Sequence, residues 1–128
     1  MKYLTADDIE RLHLQIIEAS GGSLGIRDKG RIESVVASQR QEVFGSVLYK
    51  TLFEKAAALI RGIIGDHPFV DGNKRTGTMS GLLLLELNEL DMSGLSDQEL
   101  EDFAVYVATK KPSIDEIAVW LEKHSAQA

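Results

Sequence analysis

Apolar residues recur at helical spacing along nearly the whole chain. Ile9, Leu12, Ile16 and Ala19 fall on one side of a helix. Thr5 precedes them with Asp8 three positions on, a capping box in which Asp replaces the usual Glu or Gln. Gly21, Gly22 and Gly25 end that helix in a loop. Asp28 can cap a second helix, with Ile32, Val35 and Val36 on its inner face. The pattern then changes. Val43, Phe44, Val47, Leu48 and Tyr49 are strand formers interrupted by Gly45, so the stretch 41–50 predicts an irregular flap or a short hairpin.

Thr51 opens the clearest helix. Leu52, Phe53, Ala56, Ala57, Ile60, Ile63 and Ile64 leave it little polar surface, which places it at the centre of the fold. Ala56, Ala57 and Ala58 would let a second helix approach closely. A polar loop, Asp66 to Asn73, separates it from another apolar helix running from about Lys74 to Asn88. Ser96 with Glu99 caps a helix carrying Leu100, Phe103, Ala104, Val107 and Ala108, which Pro112 breaks. Ser113 with Glu116 caps the last, where Ile114, Ile117, Ala118 and Leu121 face inward. The expectation is one all-α domain over residues 1–128, a bundle of about six helices with short connections and little or no sheet.

Composition narrows the function classes. The chain has 128 residues and no cysteine, which removes thiolate metal sites, iron–sulfur clusters and thiol catalysis. Its histidines, His13, His67 and His124, form no helical metal pair; His13 and His124 read as surface or helix-end residues, and Phe103 and Trp120 as core. The net charge of −6 argues against general nucleic-acid binding, although a local basic spot can still hold one nucleotide. The N-terminal residues lack the apolar run of a signal peptide. The longest strong apolar run, Leu82 to Leu85, is far short of the ~20 residues that span a bilayer. A soluble, cytoplasmic protein is expected.

The junction between the two most hydrophobic helices breaks this plain picture. His67, Asp71, Asn73, Lys74 and Arg75 gather an imidazole, a carboxylate, an amide, an ammonium and a guanidinium within nine residues. Backbone N–H groups from Gly72 to Arg75 fall at a helix start, where the dipole attracts anions. Gly72 permits a tight anion-cradling turn, and Arg75 can grip a phosphate with paired donors. Asp71 is one carboxylate beside that site, and Mg²⁺ commonly takes one or two carboxylates together with phosphate oxygens. His67 is a base suited to neutral pH. Together they suit phosphoryl-type transfer. Taken singly, each has a plainer reading. His67 can be a partner of a helix C-terminus, Asp71-Gly72 a turn, Asn73 a helix N-cap, and Lys74 and Arg75 solvated surface.

The segment His67-x-Phe69-x-Asp71-Gly72-Asn73-Lys74-Arg75 resembles the signature of the Fic/Doc superfamily, His-x-Phe-x-Asp/Glu-Gly/Ala-Asn-Gly/Lys-Arg between two helices. Lys74, where other members have glycine, is similar to the death-on-curing (Doc) branch, as are Gly25-Ile26-Arg27-Asp28 and Ile32-Glu33-Ser34 upstream. The resemblance implies that His67 deprotonates a target hydroxyl and Asp71 coordinates Mg²⁺. It implies further that Gly72, Asn73 and Lys74 form the phosphate-binding anion hole, that Arg75 holds a nucleotide phosphate, and that Phe69 is structural. It implies a toxin of a toxin–antitoxin pair, a kinase passing the γ-phosphate of ATP to a Thr or Ser hydroxyl of a translation factor of the elongation factor Tu type. An antitoxin of the Phd type would cover the groove. Fic enzymes instead usually transfer AMP, and many of those carry a second arginine three residues after the motif Arg. Here that position is Thr78, which with Lys74 disfavours AMP transfer. A non-catalytic nucleotide-binding regulator is the remaining alternative. The flap near 41–50 would line a target peptide or be a plain surface loop.

Overall fold

The computed structural model describes residues 1–127. Among them are six α-helices: α1 (Ala6–Ser20), α2 (Lys29–Ala37), α3 (Leu52–Asp66), α4 (Asn73–Leu87), α5 (Asp97–Lys110) and α6 (Ile114–Lys123). Local chemistry sets most of their starts. Thr5–Asp8, Thr51–Glu54, Ser96–Glu99 and Ser113–Glu116 are reciprocal capping boxes, each pairing two backbone N–H groups that a helix start leaves open. Asp28 caps α2 by accepting from the Arg31 N–H at 3.1 Å. The expected all-α architecture is the one observed.

α3 is the central element, with Ala56, Ala57, Leu59, Ile60 and Ile63 fully buried. α4 lies against it. The close approach rests on α4 glycines as much as on the α3 alanines. A Cβ at Gly81 would run into the Ile60 side chain, and one at Gly77 would stand 2.8 Å from Ile64 Cγ1. Phe103 is buried, and Trp120 is partly buried and stacked on it at a ring-centroid distance of 3.9 Å.

The burial pattern of α1 corrects the sequence reading. Its buried stripe is Ile9, His13 and Ile17, while Leu12 and Ile16 are half-buried and Ala19 is exposed. His13 is not a surface residue: it is 4% exposed and faces the loop between α3 and α4. An imidazole inside an apolar stripe shifts the apparent hydrophobic face away from the true one. His124, at the C-cap of α6, does lie at a helix end as expected.

The flap is a hairpin. β1 (Glu42–Val43) pairs antiparallel with β2 (Ser46–Val47) around Phe44 and Gly45, both with positive φ as a tight two-residue hairpin turn requires. Its root is fixed by a 3₁₀ turn, Ser38–Arg40. There the buried Gln39 side chain accepts from the Leu4 N–H and donates to the Leu4 carbonyl, and Lys55 Nζ donates to the Gln39 carbonyl at 2.7 Å. Burial holds the Lys55 ammonium below the usual lysine pKa. A second short pair joins β3 (Leu90–Asp91) to β4 (Ala126–Gln127). No helix among the described residues is long and apolar enough to cross a membrane.

Candidate active site

α3 ends at His67, which closes the helix in the left-handed conformation (φ 49°, ψ 58°) with its N–H on the Ile63 carbonyl at 3.1 Å. Pro68 follows and forbids a further turn of helix, because its ring crowds the helical conformation of the residue before it. The His67 side chain therefore leaves the helix end exposed, with no hydrogen-bond partner among the described residues.

Phe69 anchors the loop beneath it. It is 1% exposed. Its backbone is held twice by one side chain: Asn73 Oδ1 accepts from the Phe69 N–H at 3.0 Å and Asn73 Nδ2 donates to the Phe69 carbonyl at 2.9 Å. Asn73 is thus not the N-cap of α4. That position belongs to Gly72 (φ 77°), which offers no side chain to the helix start, and a Cβ there would press on Ile17 Cδ1 at 3.0 Å. What Asn73 offers a ligand is its backbone N–H, because its amide is spent on closing the loop.

α4 therefore begins without a side-chain cap, alone in this among the six helices. The first intrahelical bond runs from the Thr76 N–H to the Gly72 carbonyl at 2.9 Å. The N–H groups of Asn73, Lys74 and Arg75 are left without a carbonyl from their own helix, as geometry demands at a helix start. Lys74 and Arg75 are exposed and in no ion pair among the described residues. The result is three open N–H donors, the positive end of a helix dipole and two cations at one place. Thr78 adds no cation. It is buried and donates to the Lys74 carbonyl at 2.9 Å.

Asp71 turns its carboxylate toward the loop after α1. One oxygen accepts from the Gly72 N–H at 2.8 Å and the other from the Ser23 N–H at 3.1 Å. These two bonds hold the carboxyl below the usual carboxylate range, the Ser23 bond first and the Gly72 bond next, with a smaller pull from His13. In this arrangement the Gly72 N–H is directed at Asp71, so the open anion donors begin at Asn73. Each carboxylate oxygen keeps a lone pair. Among the described residues no three His, Asp or Glu side chains gather as a metal cage. The site suits a Mg²⁺ ion that arrives with phosphate oxygens and takes one carboxylate, not one held by protein ligands alone.

Residues far away in sequence set this loop, and the sequence reading, which named several of them, gave none of them this role. The Gly25 carbonyl accepts from the Val70 N–H, and the Pro68 carbonyl accepts from the Arg27 and Asp28 N–H groups, so 25–28 lies as a short antiparallel bridge along 68–70. Arg27 also reaches the Asp66 carbonyl at 3.4 Å. His13 stacks on Phe69 and donates to the Asp71 carbonyl. The Gly-rich stretch after α1 was the available signal. A Cβ at Gly22 would stand 2.7 Å from Asp71 Oδ2, so the loop must be bare there for the carboxylate to fit. Beside His67 a groove of about 590 Å³ runs over α3 between the root of the flap and the α5–α6 junction, lined by Gln41, Tyr49, Arg61, Asp66 and Lys111.

Comparison with known proteins gives the chain a family. Residues 3–85, which include the flap and the whole loop, match the model of the Fic/DOC family. The chain is 36% identical over 111 residues to a protein named Toxin Doc from Mycolicibacterium smegmatis, covering 86% of this chain and 85% of the relative. It is 30% identical over 123 residues to Protein kinase doc of Escherichia phage P1, covering 96% and 95% respectively. With the family model spanning more than half its length and both relatives matched nearly end to end, the chain belongs to the Fic/DOC family, on the branch of the Doc toxins.

Proposed function

We propose that the protein is a cytoplasmic Doc-type toxin acting as a Mg-ATP-dependent protein kinase. It would transfer the γ-phosphate to a Thr or Ser hydroxyl of a translation factor, of the elongation factor Tu type, and so arrest translation. The observation that carries this reading is the uncapped start of α4, facing Asp71 and one loop away from an exposed, unpartnered His67. The other five helices spend a side chain on that position, so leaving this one open fits a phosphate ligand.

Each residue then has a task. The N–H groups of Asn73 and Lys74 and the side chains of Lys74 and Arg75 hold the phosphates. Gly72 makes the turn that exposes those N–H groups. Asp71 would hold Mg²⁺, which when bound supplies charge neutralisation between the phosphate oxygens. His67 accepts the proton of the target hydroxyl as its oxygen bonds to the γ-phosphorus and the bond to the ADP oxygen breaks. The groove over α3, between the flap root and the α5–α6 junction, runs to His67 and suits an extended target segment. A Phd-like antitoxin covering that groove would silence the enzyme. Lys74 and Thr78 support phosphoryl over AMP transfer, because the AMP reading asks for room at the first position and a cation at the second.

The test is the intact mass of elongation factor Tu after incubation with the protein and Mg-ATP, with His67→Ala alongside. One phosphoryl group, absent with the variant, is expected. One AMP group would replace the kinase by an AMP transferase. Nucleotide binding without any transfer would leave a non-catalytic regulator.

A further inference from the structure

α1 carries an imidazole where its stripe calls for an aliphatic side chain. His13 lies between Ile9 and Ile17, 4% exposed. A buried histidine in a helix interior needs a polar partner, and this one finds it 58 positions away. Nε2 stands 2.8 Å from the Asp71 carbonyl oxygen. A carbonyl only accepts, so Nε2 carries the proton. The ring face meets Phe69 with centroids 3.8 Å apart and planes within 8° of parallel. One side chain thus grips the loop at the two residues flanking Val70.

The consequence follows from the peptide plane. In a trans peptide the carbonyl and the next N–H point opposite ways. Fixing the Asp71 carbonyl on His13 turns the Gly72 N–H away from α1, where it meets Asp71 Oδ1 at 2.8 Å. The second carboxylate oxygen is caught by the Ser23 N–H. A leucine at position 13 would fill the volume but leave the Asp71 carbonyl unpaired and its peptide free to turn. We propose that His13 is a positioning residue: it sets the Asp71–Gly72 peptide, and through it the aim of the Asp71 carboxylate and the turn that opens the start of α4. The link to metal and phosphate rests on the function proposed above.

Two variants separate the donor from the packing. His13→Phe keeps an aromatic ring against Phe69 and removes the donor. His13→Gln keeps an N–H at similar reach and removes the ring. Two readouts are needed. Amide hydrogen exchange on the free protein follows the Gly72 and Ser23 N–H groups directly. Calorimetric titration with Mg-ATP, at fixed nucleotide and varied Mg²⁺, follows the site. In His13→Phe both amides should exchange about tenfold faster, and the Mg²⁺ needed for half-maximal binding should rise about tenfold, the scale on which lost support of a metal ligand acts. His13→Gln should recover both to within about threefold. A merely structural role would lower the melting temperature of both variants and leave the Mg²⁺ dependence unmoved. Unchanged Gly72 and Ser23 exchange in His13→Phe would overturn the proposal. Wild-type protein that binds no Mg-ATP would instead overturn the proposed function, and the exchange rates alone would then decide the role of His13.

Discussion

Two junctions in this molecule begin alike and end differently. α3 stops at His67-Pro68 and α5 at Lys111-Pro112. Both penultimate residues are left-handed, with φ 49° and ψ 58° at His67 and φ 49° and ψ 55° at Lys111, and each closes its helix through its N–H on the fourth carbonyl back. After Pro112 the chain does the economical thing. Ser113 caps α6 at once, in a reciprocal box with Glu116. After Pro68 it inserts Phe69, Val70 and Asp71, buries the first, and starts α4 on Gly72 with no side-chain cap. A turn between packed helices needs only what the second junction has. What the first has in excess is an exposed base, a carboxylate and an open helix start. It also has distant residues, His13, Ser23 and Gly25 to Asp28, recruited to hold them.

The comparison breaks most sharply at His67. His67→Ala should lower phosphoryl transfer about 10³-fold, in the range general bases contribute. Its stability should stay within about 0.5 kcal/mol of wild type, because the side chain is exposed and unpartnered. Transfer assays and thermal unfolding on one preparation check both. A variant with full activity would mean that the excess chemistry at this junction is not catalytic.

Asn73 is the first residue of α4 and Ser113 the N-cap of α6, and each holds its helix entry by different bonds. Ser113→Ala removes a cap and should cost about 1 kcal/mol with transfer unaffected. Asn73→Ala unpairs the buried Phe69 N–H and carbonyl and should cost about 2–3 kcal/mol. It should also weaken Mg-ATP binding, since the loop it closes sets Gly72. Denaturant unfolding of the two side by side measures the difference. Equal costs would mean that the two bonds from Asn73 to Phe69 contribute no more than a single helix cap.

Sequence could read one junction better than the other for the same reason. Capping boxes at Thr5, Ser96 and Ser113 are contained in four consecutive residues, so those helix starts were visible without a fold, while Thr51 showed as a start by the apolar run behind it and its box with Glu54 went unread. The chemistry of His67 to Arg75 was visible because it too is contiguous. What was hidden is what depends on long-range placement. His13 looked like surface because its partner lies 58 positions on. Asn73 read as an N-cap because the amide's two bonds to Phe69 exist only once the loop has folded back. The bridge of 25–28 to 68–70 has no local pattern. The hairpin at 42–47 was half legible: its strand formers showed, while its root depends on Gln39 meeting Leu4 and Lys55.

Gly22→Ala sharpens the distinction between supporting the fold and aiming a group. Its added methyl would fall 2.7 Å from Asp71 Oδ2. The obstructing carboxylate ends a flexible, exposed side chain and can swing aside, and buried Ile17 Cδ1 at 3.1 Å has only a few tenths of an ångström to give, so the melting temperature should fall only slightly. The Mg²⁺ required for half-maximal transfer should rise about tenfold, since an aspartate that must swing no longer waits in place. A melting temperature that falls steeply together with activity would place Gly22 in the packing and not in the site.

The smallest effect probes what the two junctions share. A left-handed residue with a Cβ costs about 1–2 kcal/mol relative to glycine, part of which the greater freedom of glycine in the unfolded chain cancels. Lys111→Gly and His67→Gly should therefore each stabilise the protein by about 0.5–1 kcal/mol. At Lys111 the strain is the ordinary cost of a helix stop written without glycine. At His67 glycine would serve the backbone equally well, and the chain nonetheless carries an imidazole there. His67→Gly should thus be the more stable and the inactive protein, a trade of stability for function at a single residue. Thermal melts of the two variants read the shared term. Equal gains confirm that the helix stops are the same device. A gain at Lys111 and none at His67 would mean that the His67 ring makes a stabilising contact in solution, which would weaken its assignment as a waiting base.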